Sequence, residues 1–394
     1  MKACPLNDGC SDKRVLRWTT GWRFPILRWG ETAVPIWQWI VFATTLTVSV
    51  CWPNPLTADV QQIRFTDSRQ RSQTVIGEVV VQARNGGLFV QADDGQIWLL
   101  QPEQIQERST LSEPLEPISA DEAARRLLDE MPEGFKIHRT SNYLICHNTN
   151  PKYASYVGGL FEQLYRGFFA YWKGLGWELD TPRFPLVALV FADQDGFQSY
   201  AGHELGDTVK SVIGYYHLET NRMTTYFLPN AERNVATIIH EATHQLAYNS
   251  GLQRRFADNP MWVSEGLAMF FESPDFSSPR GWRSVGKVNR VNLERFRRYV
   301  PSRPADSLRT LLADDARLRD SSQALMAYGE SWALTYFLLK TRRKEFVAYL
   351  QQLSAGEPLQ QRSPQERIEM LETALDIDLE TLDRRFVPYM MRLR

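Results

Sequence analysis

Strand patterns are confined to the first 228 residues of this 394-residue chain, and from Pro229 onward almost everything reads as helix. Strands first and helices after imply an α+β domain. Residues 73–100 hold three β-rich runs punctuated by Asn85-Gly86-Gly87 and Asp93-Asp94-Gly95, two strong hairpin turns. A meander of that size is marginal alone, so it packs on a neighbour or belongs to a small barrel. Residues 101–118 are polar, with Pro102, Pro114 and Pro117, the composition of a linker. Ser119-Ala120-Asp121-Glu122 matches a capping box and opens a helix that runs through Met131. Beyond it the pattern predicts a hairpin over 136–147, a long helix over 153–172 and a buried strand over 184–191. A second hairpin over 211–227 turns at Glu219-Thr220-Asn221. The chain therefore divides into a leader (1–58), a small β module with its linker (59–118) and a main domain (119–394).

The leader reads as an address. Lys2, Lys13, Arg14, Arg17, Arg23 and Arg28 face only Asp8, Asp12 and Glu31, and no charge falls between Thr32 and Thr57. A basic segment followed by an apolar one marks export, with the positive end left in the cytoplasm. The apolar heart, residues 34–52, approaches the roughly 20 residues that span a bilayer. Leu56-Thr57-Ala58 offers a small-residue cleavage site. The segment is thus a cleaved signal peptide or a retained membrane anchor, and the remainder is expected to be extracytoplasmic, either periplasmic or secreted. Of the 4 cysteines, Cys4, Cys10 and Cys51 belong to the leader, and the remaining Cys146 reads as a core residue. With 45 basic against 46 acidic residues, no basic face marks a nucleic-acid binder.

Histidine is scarce, at 6 residues, yet two stand four apart in His240-Glu241-Ala242-Thr243-His244. Asn230 can cap the helix around them and Gly251 can end it. Val235, Ile239, Ala242 and Leu246 form an apolar stripe, and both imidazoles project from one face beside it. Two such imidazoles can bind one metal ion. Glu241 lies roughly 100° around the helix, where a carboxylate reaches a water at the metal without ligating. The pattern arises by chance in roughly one such chain in 200. A second helix begins at Asn259-Pro260 and carries Glu265 in an apolar run, Met261-Trp262-Val263-Ser264-Glu265-Gly266-Leu267-Ala268. A buried carboxylate needs a partner, and a metal held by two histidines is one. Gly266 permits close approach of a neighbouring helix. Glu272, two turns on, reads as a solvated carboxylate or as a group orienting a ligand from behind. His138, His147, His203 and His217 lack metal spacing.

HEATHQLAYNSG followed by PMWVSEGLAMFFE resembles the gluzincin metallopeptidases of the peptidase MA kind, with 20 residues between His244 and Glu265. It is similar, more closely, to a peptidase-like family of exported planctomycete proteins. The resemblance covers roughly residues 135–340. It implies a mixed sheet with an edge strand, the HExxH helix and a helical C-terminal part. It also implies one zinc ion on His240, His244 and Glu265, with Glu241 as general base for a metal-activated water. Peptide or protein would be the substrate, bound along an edge strand at Met223, Thr224, Thr225 and Tyr226. Tyr328, 63 residues after Glu265, would stabilise the oxyanion. The Gly-x-Met-Glu-Asn motif of the aminopeptidase branch is missing before His240. Two other readings are a zinc-stabilised, non-catalytic envelope binding protein and an amidase of cell-wall peptides.

Overall fold

Alternation of apolar and polar residues builds the first sheet. A computed structural model describes residues 59–394 apart from 68, 69, 274, 276, 279–281 and 284, and the leader lies outside the described residues. Strands β1 (Val60–Thr66), β2 (Ser72–Gln82), β3 (Leu88–Ala92), β4 (Ile97–Leu100) and β5 (Ile105–Thr110) pair antiparallel in the order β4-β3-β2-β1-β5. Ile63, Phe65, Val75, Leu88, Val90 and Leu100 form its core. The unit has two more strands than the sequence indicates. β5 runs through the polar stretch expected to be a linker. Its residues, IQERST, are mostly exposed, so the alternation that marks a half-buried strand is missing. Charged side chains on an outer strand are a common guard against edge-to-edge pairing.

Helix α1 (Ala120–Glu130) starts as expected, with the Ser119 hydroxyl accepting from Glu122 N at 3.2 Å. Only that half of the capping box forms, because the Glu122 carboxylate pairs with Arg125 and Arg126. The hairpin β6 (Lys136–Arg139) and β7 (Tyr143–His147) follows, then α2 (Pro151–Gly174), β8 (Leu186–Phe191) and α3 (Gln194–Leu205). A second hairpin, β9 (Gly214–His217) and β10 (Arg222–Tyr226), leads into α4 (Ala231–Asn249). These strands form a mixed sheet in the order β6-β7-β8-β10-β9. β7, β8 and β10 run parallel, with an antiparallel strand at either edge. Both faces are covered, so β8 is apolar throughout. Leu186, Ala188 and Val190 pack with α2 and α4. Val187, Leu189 and Phe191 pack with α1 and α3. Cys146 lies in that second core, fully buried, as the sequence implied.

The rest is helical: α5 (Met261–Phe271), α6 (Arg290–Tyr299), α7 (Ser307–Ala313), α8 (Ala316–Arg319), α9 (Ala324–Thr341), α10 (Arg343–Ser354), α11 (Pro364–Leu375) and α12 (Leu379–Arg392). α9 is buried almost throughout and packs on α5, α6 and α10. The α+β expectation, with a small N-terminal β unit, a mixed sheet and a helical C-terminal part, therefore holds. The start of α5 differs from it. Asn259 spends its amide on the carbonyls of Arg254 and Ala257, and Pro260 stands just before the helix. The Met261 N–H is instead capped from a distance, by Asp315 Oδ1 at 3.0 Å. Among the described residues, no helix is long and apolar enough to cross a membrane.

Candidate metal centre

The helix that carries the histidines forms as its sequence directs. Asn230 Oδ1 accepts from Arg233 N at 2.9 Å, and Gly251 takes a left-handed φ of 75° just past the end. Val235, Ile239, Ala242 and Leu246 are fully buried. Gln245 fixes α4 to the mixed sheet by donating to the carbonyls of Val187 and Asn221, each at 2.9 Å.

On this helix His240 and His244 meet Glu265 of α5. His240 Nε2 lies 3.2 Å from His244 Nε2 and 3.2 Å from Glu265 Oε2. His244 Nε2 lies 3.7 Å from Glu265 Oε1. Each of the three residues offers a ligand atom, all within 4.8 Å of one another. Zinc bonds of about 2.0–2.1 Å at tetrahedral angles separate neighbouring ligand atoms by about 3.3 Å. Two imidazole nitrogens and a carboxylate oxygen are also the donor types zinc accepts in open sites. The residues present fit the ion.

Gly266 brings α5 within reach of α9. A β-carbon at 266 would stand 2.8 Å from the Ser331 carbonyl oxygen and closer still to Thr335 Oγ1. The close approach expected of this glycine is thus to α9, and it puts Tyr328 beside the centre. Tyr328 is buried, and its hydroxyl is pushed well above the usual tyrosine range by burial and by the charges of Glu265 and Glu241.

A further shell stands behind the histidines. Glu272 Oε2 is 2.7 Å from His240 Nδ1, and Glu272 Oε1 accepts from Asn289 Nδ2 at 2.8 Å. Asn289 in turn caps α6 through Asn292 N. With Nδ1 engaged, Nε2 is the nitrogen turned toward Glu265. Glu272 is 2% exposed, so its solvated reading is overturned. Its sequence signal, a carboxylate on the Glu265 face at the end of the apolar run, was visible. Asn289 had no comparable signal.

Burial and neighbouring charges compete at each titratable group of the site. Burial pushes Glu241 up to about 8; the His240 charge opposes this, Glu265 adds to it, and a backbone hydrogen bond from Tyr216 moderates it. Burial lowers His244 to about 4, so it is neutral near pH 7. Burial also works against a charge on His240, but its bonds to Glu265 and Glu272 win and raise its pKa. Burial disfavours the charge on Glu265, yet the two imidazoles hold its pKa below the usual range.

The expected edge strand is corrected. Met223, Thr224, Thr225 and Tyr226 lie on β10, which pairs with β8 on one side and β9 on the other. All four are buried, and their backbone belongs to the ladders. The outer strand next to α4 is β9, whose Tyr216 reaches Glu241. Sequence adjacency to the metal helix misled here, because the parallel β8–β10 pairing puts the second strand of the hairpin inside. The Tyr216 ring stacks on Tyr248 of α4 with centroids 5.7 Å apart, and the Tyr248 hydroxyl bonds Ser264, beside Glu265. Neither tyrosine was singled out by sequence.

No curated protein matches the chain. Residues 234–360 match the family described as "Protein of unknown function (DUF1570)". The match begins within α4, six residues before His240, ends after α10, and contains His240, Glu241, His244, Glu265, Glu272, Asn289 and Tyr328. This stretch of the chain is similar to that family, which is itself uncharacterised.

Proposed function

We propose that the protein is a zinc-dependent hydrolase of peptide bonds, gluzincin-like in its HExxH and downstream Glu. The observation that carries this reading is the convergence of His240, His244 and Glu265 with a carboxyl, Glu241, that is not needed to hold the ion. His240, His244 and Glu265 would hold one zinc, whose contribution is Lewis acidity toward water and the scissile carbonyl. Glu241 takes the proton of the attacking water and delivers it to the leaving amine. A carboxyl raised by burial is a stronger base than a solvated one. Tyr328, protonated at any working pH, donates to the developing oxyanion. An extended peptide added along β9 would run beside Glu241. The basic-apolar leader supports an extracytoplasmic location, by a cleaved signal or a membrane anchor.

Metal analysis with a quenched-fluorescent peptide library tests the reading. The unaltered chain should carry one zinc and cleave. Glu241→Gln should keep the zinc and lose roughly 10²–10⁴ in rate. His240→Ala should lose the zinc. Full turnover by Glu241→Gln, or unchanged zinc in His240→Ala, overturns it.

A further inference from the structure

The N-terminal β unit meets the β9–β10 turn and the loop between α4 and α5 through three contacts. Ile97 N on β4 donates to Glu219 O in the β9–β10 turn at 2.7 Å. Arg255, in the loop joining α4 to α5, donates from Nη1 to Gly95 O at 2.9 Å and to Leu218 O at 3.3 Å. Gly95 belongs to the β3–β4 turn and Leu218 to the β9–β10 turn. Phe256, next to Arg255, meets Phe89 of β3 edge to face, with centroids 4.8 Å apart. Phe256 holds a left-handed φ of 62°, a backbone conformation aromatic residues rarely adopt unless tertiary contacts fix it.

One guanidinium therefore joins three elements: the β unit, the turn of the edge hairpin, and the loop between the two ligand-bearing helices. It meets carbonyl oxygens, and both bonds leave one nitrogen, Nη1, whose hydrogens are held in the fixed guanidinium plane. The other side of the turn is tied to α4, where Asn221 bonds Asn249 and Gln245. The turn is thus clamped between α4 and the β unit. β9 leaves it directly toward Tyr216, which contacts Glu241.

We infer that the N-terminal β unit is part of the substrate-binding scaffold, and that Arg255 is the positioning residue through which it holds the edge strand β9 beside Glu241. The inference rests on the hydrolase reading only in giving β9 a peptide to bind. Arg255 touches neither the ligands nor the reacting atoms. Its loss should loosen the hairpin and leave the ion's donors where they are.

The test is Arg255→Met in the full chain, which keeps the apolar stem and removes the guanidinium, beside Arg255→Lys. Hydrogen exchange followed by mass spectrometry reads residues 214–219 with no need of a substrate. Exchange there should quicken about tenfold in Arg255→Met, with residues 238–246 unchanged. Arg255→Lys, which keeps a charged donor but loses the planar group that aims it, should fall between. Zinc content should not change in either. With a peptide from the library that the unaltered chain cleaves, KM should rise about tenfold while kcat stays within about twofold. Unaltered exchange at 214–219 overturns the inference, as does a loss of zinc or of kcat equal to the rise in KM. If the unaltered chain cleaves no peptide, the hydrolase reading fails, and the exchange and zinc measurements decide the positioning role by themselves. If Arg255→Met does not fold, Arg255→Lys carries the same measurements.

Discussion

Two clusters of buried charge border α9, and they are built differently. Glu330 accepts from Arg303 Nε at 2.6 Å and from Ser307 Oγ at 2.8 Å and 3.0 Å, and pairs with Arg317 Nη2 at 2.9 Å. Arg303 closes the set with a two-point bond to Asp383. Two carboxylates meet two guanidiniums, and both oxygens of Glu330 are engaged. The candidate metal centre is not closed in this way. Glu241, Glu265 and Glu272 face two imidazoles, of which His244 is neutral, with the Arg295 guanidinium near Glu272. A balanced cluster is a structural clasp. A cluster in which two imidazole nitrogens and a carboxylate oxygen converge is one that, on the proposed reading, a divalent cation would complete.

The comparison is most sharply tested at Glu330. Glu330→Gln leaves two buried guanidiniums underpaired, and breaking such a set costs about 3–5 kcal/mol. Denaturant melts should show that loss, with zinc affinity unchanged; a fall in zinc affinity would mean that the two clusters are coupled through α9. Glu272→Gln strikes the open cluster. It should weaken zinc roughly 10–100-fold, read by chelator competition, and cost little stability in the metal-free protein. An unchanged affinity would reduce Glu272 to a helix-end contact.

The smallest effect is a pH slope. In the metal-free protein the raised His240 pKa contributes stability that is full below about 6.5 and lost as pH rises through the higher folded value. Glu241, raised to about 8, works in the same direction, since its buried charged form is disfavoured. Zinc affinity runs the other way, because the ion displaces a proton from His240. It should climb about tenfold per unit between pH 6 and 7, with proton release seen as a buffer-dependent heat. A flat profile would show that His240 is already neutral.

The metal helix was the most legible part of the sequence, because its cap, stripe and histidines are all local signals. Glu265 was legible for a different reason: a carboxylate inside an apolar run demands an explanation. Glu272 stayed ambiguous, since a carboxylate at a helix end looks the same whether it meets water or a buried imidazole. What decides is Asn289, 17 residues away at the cap of a separate helix. The edge strand was misjudged because strand order is a long-range property; nothing in Arg222–Tyr226 says that β8 lies on its other side. β5 was missed because an exposed outer strand carries no hydrophobic period.

Position 266 shows how little room that arrangement leaves for sequence change. The nearest obstacles to a side chain there are Thr335 Oγ1 and the main-chain oxygen of Ser331. A second substitution could shrink the threonine, but no substitution removes a carbonyl. Compensation is therefore closed off, and a saturation library at 266 screened for stable protein should return glycine almost alone. Because α5 presents Glu265 and α9 presents Tyr328, the depth of that contact also sets the distance between the proposed metal ligand and the proposed oxyanion donor.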